Sequence, residues 1–210
     1  MNLERLKEAE GEFFRAYPGG FDDPALAAIG KRHPVARLSA FARDAFPKSA
    51  FIRPGAVLDD AVRLIGRSSM VSMFEKPKFR DFCAGLDPDE RDRLGDAIRK
   101  MLHGRGGSPR TGVETMVDML LRAKLAKWSL VSALPYYFHP TREVFMKPNT
   151  VKGIVATFEL NVPRYQACPS WAFYSAYREE FIAMREAADP TLSPSNAAFS
   201  GFLMMSMRGL

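Results

Sequence analysis

The chain has 210 residues, 47% hydrophobic and 26% charged, a balance that excludes a disordered chain and one that needs disulfides or metal to fold. Its formal charge of +6 is mild and speaks to association and solubility rather than to fold. Cys83 and Cys168 lie far apart in no metal-ligand spacing, so neither a disulfide framework nor a zinc site is signalled, and a reducing compartment is expected.

The opening residues Met1–Glu8 alternate charge with apolar residues at helical spacing and lack the apolar run of a secretory signal. No stretch approaches the roughly 20 apolar residues that span a bilayer, which predicts a cytoplasmic protein with no membrane partner. Leu3, Leu6, Phe13, Phe14 and Tyr17 form the first helical stripe, ended by Pro18-Gly19-Gly20. Asp23-Pro24 opens a short helix with Leu26 and Ile29, and His33-Pro34 starts another with Val35, Leu38, Phe41 and Ala45 on one face.

Residues 55–67 repeat apolar positions at three and four, the period of an amphipathic helix. Asp87-Pro88-Asp89-Glu90 is a capping box with proline in its first turn, and Leu94, Ile98, Met101 and Leu102 supply the face behind it. Thr111-Gly112-Val113-Glu114 reads as a second box. Between the two, residues 103–110 are too rich in glycine and proline for a helix, which predicts an exposed loop and a site for a subdomain hinge at 103–111.

From Trp128 to Lys147 the pattern shifts to short, partly alternating runs around Pro135 and Pro140, which predicts a small β-hairpin near residues 130–146. Pro148-Asn149-Thr150 opens a helix, Ser170 caps a long aromatic one, and Ser193-Pro194-Ser195-Asn196 opens the last, which ends in Phe199, Phe202, Leu203, Met204 and Met205. Phe74-Glu75-Lys76-Pro77 echoes Phe145-Met146-Lys147-Pro148, but the likeness is too short for a repeat and reads as shared helix-start chemistry, with the aromatic stapling the turn. The expected fold is mainly α: one domain over residues 1–210, a bundle of nine to ten helices around one core.

No nucleophile elbow, zinc-protease helix or phosphate loop is present, and His33, His103 and His139 are scattered. The acids Asp87, Asp89, Glu90, Asp92 and Asp96 sit at a helix start, where the dipole favours them, so they are read as structural rather than metal-binding. No catalytic residue, metal ligand or cofactor is assigned on this basis.

Charge is uneven. Residues 63–80 carry Arg63, Arg67, Lys76, Lys78 and Arg80 against Glu75, and residues 119–158 carry Arg122, Lys124, Lys127, Arg142, Lys147 and Lys152 against Glu143, leaving the rest net acidic. Lys127, Trp128, Tyr136, Tyr137, His139, Lys147 and Lys152 interleave cations with aromatics, the ingredients of a nucleic-acid strand site, although aromatics serve more often as core.

The Lys127-Trp128 start, the Phe145-x-Lys147-Pro148-x-x-x-Lys152 middle and the helix from Trp171 give the C-terminal half a pattern that resembles a family of uncharacterised bacterial proteins; the resemblance implies a family and no activity. The expected function is a non-catalytic binding protein whose basic surface engages nucleic acid or another polyanion through Arg67, Lys76, Lys78, Arg80, Lys127, Trp128, Tyr136, Tyr137, His139, Arg142, Lys147 and Lys152. The alternative is an assembly module that pairs with a protein partner or a second copy through the Met- and Phe-rich C-terminal helix. A third reading is an enzyme using Tyr136, Tyr137, His139 and Arg142.

Overall fold

At Asp87, Ser170 and Ser195 a cap and an apolar stripe coincide in the sequence, and a helix begins at the expected residue. The computed structural model describes residues 1–26 and 35–207, and ten complete α-helices run through them with no strand. Helix α1 spans Leu3–Ala16, α2 Val35–Ala45, α3 Leu58–Arg67, α4 Glu75–Ala84 and α5 Pro88–His103. Then follow α6 Ser108–Arg122, α7 Trp128–Phe138, α8 Pro148–Thr157, α9 Trp171–Ala187 and α10 Asn196–Ser206. The architecture is a mainly α, multi-helix bundle. Ile29, His33 and Pro34 lie outside the described residues.

At α5 the capping box is complete, with Glu90 N–H donating to Asp87 Oδ1 at 2.8 Å and the Glu90 carboxylate accepting from the Asp87 N–H. Ser170 and Ser195 cap α9 and α10 through the amides of Phe173 and Ala198. The second box does not form. Helix α6 starts four residues earlier because Pro109 presets its first turn; Thr111 donates to the Gly107 carbonyl and Glu114 pairs with Arg110. The connection therefore shrinks to residues 104–107, and α6 closes on α5 so tightly that a Cβ at Gly112 would lie 2.6 Å from the Ala97 oxygen.

The expected hairpin is not there: residues 128–138 are helix α7. Every residue from Trp128 to Tyr137 is buried, so no polar face marks the helical period, and a short apolar run read by alternation passes for strand. Pro135 forfeits one amide bond, but only in the last turn, where it costs least. Residues 143–147 are extended without a strand partner; instead Met146 N–H donates to the Ser132 hydroxyl at 2.9 Å, and that hydroxyl donates to the Trp128 carbonyl.

The buried apolar residues form two clusters rather than one. Helices α2 to α7 build the first around Phe46, Leu64, Phe79, Ile98, Met116 and Leu134. Helices α1 and α8 to α10 build the second, around Phe158, Phe181, Phe199 and Phe202, with Trp128 and Met146 reaching into it. Helix α7 serves both, and Trp171 packs against each. The C-terminal residues Phe199, Phe202 and Leu203 are fully buried in the second cluster. No helix among the described residues is long and apolar enough to cross a membrane.

Candidate functional site

Two hydrogen bonds and a shared cleft join the two basic stretches. Ser68, just after α3, shares a 2.8 Å hydrogen bond with the Tyr137 hydroxyl. Ser129, in the first turn of α7, donates to Glu75 at the start of α4 at 2.5 Å. Ser69 and Met70 line the same cleft as Lys147. The start of α4 therefore meets the first turn of α7, while the end of α3 meets its last turn.

The cations of the sequence pattern are spread over α3, α4 and the segment from the N-cap of α7 into α8. Arg67 places its guanidinium 5.0 Å from the Phe41 ring centroid, Arg80 pairs with Asp81 at 2.8 Å, and Lys78 is exposed beside it. Lys76 is half-buried in the first turn of α4. Lys127 and Lys147 are exposed N-cap residues of α7 and α8, neither of which has a side-chain cap. Lys152 sits over the half-buried Tyr165 ring at 5.8 Å.

The aromatics of the pattern lie inside. Trp128, Tyr136 and Tyr137 are 2%, 2% and 1% exposed, so none offers a face on which a base can stack. Trp128 donates its indole N–H to the Gln166 carbonyl at 2.8 Å and packs edge-on to Phe173. In their place the exposed ring is Phe74, 73% exposed at the N-cap of α4, with Met73 equally open beside it. Phe74 is too exposed to staple the turn, whereas its sequence echo Phe145 is buried with its ring edge-on to Tyr136.

Three members of the polar quartet of the enzyme reading are each engaged by a different partner. Tyr137 is taken by Ser68, His139 Nε2 lies 2.8 Å from the Leu102 carbonyl, and Arg142 reaches Glu143 at 3.2 Å. Burial lowers the His139 pKa, the bond to Leu102 resisting and Arg142 adding to the effect, so the ring is neutral near pH 7. Tyr136 alone turns to the cleft. Burial raises its pKa, with the neighbouring Tyr137 adding to the effect, so its hydroxyl keeps its proton.

The pattern overlooked Glu143, the single acid among the six cations of residues 119–158, which is the signal that would have found it. It is 5% exposed and accepts two hydrogen bonds from Arg178, at 3.0 and 3.2 Å, and one from the Tyr174 hydroxyl at 3.0 Å. Burial works against the charge on Arg178, but Glu143 more than offsets it and holds the arginine pKa above its ordinary value. The Glu143 carbonyl accepts from Asn196, which accepts in turn from Arg185, so one carboxylate residue ties the extended segment to α9 and α10. The acids of α5 are likewise structural: Asp92 accepts from the Gly55 amide at 2.8 Å, and Asp96 pairs with Arg99 and Lys100.

Among the described residues no group of three or more His, Cys, Asp or Glu could hold a metal ion. Cys83 is buried, which pushes its thiol pKa up to about 12, and Cys168 is exposed. No family model, curated protein or solved structure matches the chain.

Proposed function

We propose that this is a non-catalytic binding protein for an anionic partner, nucleic acid ahead of other polyanions, engaged where α4 and α7 begin. The observation that carries the reading is the Ser129–Glu75 hydrogen bond, which brings the start of α7, with Lys127, to the start of α4, with Lys76 and Lys78. No side chain caps α7, so its first amides add to the lysines as phosphate donors, whereas at α4 the Ser72 carbonyl already takes the Glu75 and Lys76 amides. Phe74 supplies the stacking face that buried Trp128 cannot, and an exposed ring beside cations suits an unpaired strand, whose bases are free to stack.

The test is fluorescence anisotropy with a labelled single-stranded oligonucleotide across a salt series. Binding should be tightest at low salt, and Lys76→Ala or Lys127→Ala should each lower the salt slope by about 0.7. Phe74→Ala removes an exposed ring, so it should leave stability unchanged while weakening binding by about tenfold, within the range of one lost base stack. Absence of binding at low salt overturns the reading, because phosphate contacts are then at their strongest.

A further inference from the structure

The two apolar clusters do not close completely on each other. Between them a cleft of about 130 Å³ is walled by Tyr136 of α7, Phe145, Phe181 of α9 and Met204 of α10, with Lys147 and Thr150 at the start of α8 on its rim. Its size is close to that of an engineered apolar cavity of about 150 Å³ that holds one benzene molecule, so the space suits a body of about six carbons and is far too small for a nucleotide.

Ser69, Asn196 and Ser200 also line the cleft, but two of its polar features bear on a ligand, and they are independent of each other. The first is Tyr136, which is 2% exposed, yet its hydroxyl has no hydrogen-bond partner among the described residues. The hydroxyl keeps its proton, so it can donate to a ligand in the cleft. The second is the start of α8. Lys147 is its N-cap, no side chain caps the first turn, and Thr150 adds a hydroxyl, so a cation and unpaired amides converge where the dipole favours negative charge.

We propose that this cleft binds a small monocarboxylic acid with a compact apolar body, an arenecarboxylate or a branched acid of about six carbons. The body lies among Phe145, Phe181 and Met204, and the carboxylate accepts from Lys147, the first-turn amides of α8 and Tyr136. Inorganic phosphate satisfies the donors but leaves the apolar wall wet, and a neutral arene fills the wall but leaves the donors unmatched. The lining of the cleft includes none of Phe74, Lys76, Lys78 and Lys127, the residues of the proposed oligonucleotide surface.

Gly201 separates the two experimentally. It lines the cleft from α10, and a Cβ built on it meets nothing within 4 Å, so a larger side chain there is expected to take up space in the cleft. Replacing a helical glycine also favours the helix, so Gly201→Leu is expected to be at least as stable as the parent protein. In calorimetric titrations of the full chain, benzoate should bind, with benzyl alcohol and acetate each about tenfold weaker or worse. Gly201→Leu should abolish benzoate binding and leave oligonucleotide binding unchanged. Tyr136→Phe should weaken benzoate severalfold while leaving benzyl alcohol less affected, a split that a merely structural tyrosine would not produce. Failure of benzoate to bind the parent protein overturns the proposal, as does equal benzoate affinity in a folded Gly201→Leu variant. Binding of phosphate with no gain from an apolar body refutes the ligand class.

Discussion

Helix α5 owes its position to a missing side chain, and restoring one carbon there should be costly. A Cβ at Gly95 would lie 2.0 Å from the Pro54 carbonyl oxygen and 2.2 Å from its carbon, whereas ordinary contact needs about 3.5 Å. Both are backbone atoms of the Pro54–Val57 3₁₀ turn, so no rotamer change relieves the overlap and the turn must retreat. That turn is held by the Gly55 N–H to Asp92 at 2.8 Å and by Arg91 to the Gly55 carbonyl at 3.2 Å. Overpacking of this kind costs about 2–3 kcal/mol, weakening the two charge-assisted bonds adds about 1.5, and the gain in helix propensity returns about 1. Gly95→Ala should therefore destabilise by about 3 kcal/mol, lowering the melting temperature by about 6–12 °C for a chain of this size. Gly11→Ala is the control, because a Cβ in that part of α1 meets nothing, and it should stabilise by up to about 1 kcal/mol. Urea and thermal unfolding followed by helical circular dichroism would measure both. A Gly95→Ala protein as stable as the parent refutes the close approach of α5 to the turn.

Glu143→Ala leaves Arg178 and Tyr174 without their carboxylate in a site where the arginine side chain is only 20% exposed, so a loss of about 3 kcal/mol is expected in the same unfolding assay. Glu143→Gln, which keeps an acceptor for the tyrosine, should lose less; equal stability of all three proteins would show that the network contributes nothing. His139 predicts a pH dependence. Its folded pKa is below the ordinary 6.5, so the unfolded chain binds the extra proton and stability falls as the pH drops through 6.5 toward the folded value. Stability measured from pH 7.5 downward should decline over that window in the parent protein, and the decline should be smaller in His139→Gln; a parent profile flat through the window contradicts the shift.

Local rules made most of this fold legible and failed at identifiable places. Asp87, Ser170 and Ser195 mark helix starts because a cap is chemistry between residues two or three apart. Thr111 and Glu114 satisfy the same pattern, yet Pro109 sets an earlier first turn and their side chains find other partners. The basic residues were legible as a surface, because charge is solvated wherever the chain folds. Which rings join them was not: Trp128 and Phe74 both stand beside lysines in the sequence, and only tertiary packing buries the first and leaves the second 73% exposed.

Helix α7 shows why the least legible element is also the one on which both proposals converge. A helix that packs against one core keeps a polar face, and that face is the signal from which a helical period is read. Helix α7 lies between two clusters, so selection for burial acts on every side of it and erases the period. The same position brings Ser129 to Glu75 at its first turn, and Tyr136 to the gap between the clusters near its last. A segment that must satisfy two cores has few polar positions to spare. Ser129 and Ser132 spend theirs on Glu75 and on Trp128 and Met146, and Tyr137 spends its own on Ser68, all within the protein. Tyr136 does not, and a buried helix that leaves one hydroxyl unmatched where a cationic rim meets an apolar wall is placed to hold something from outside the chain.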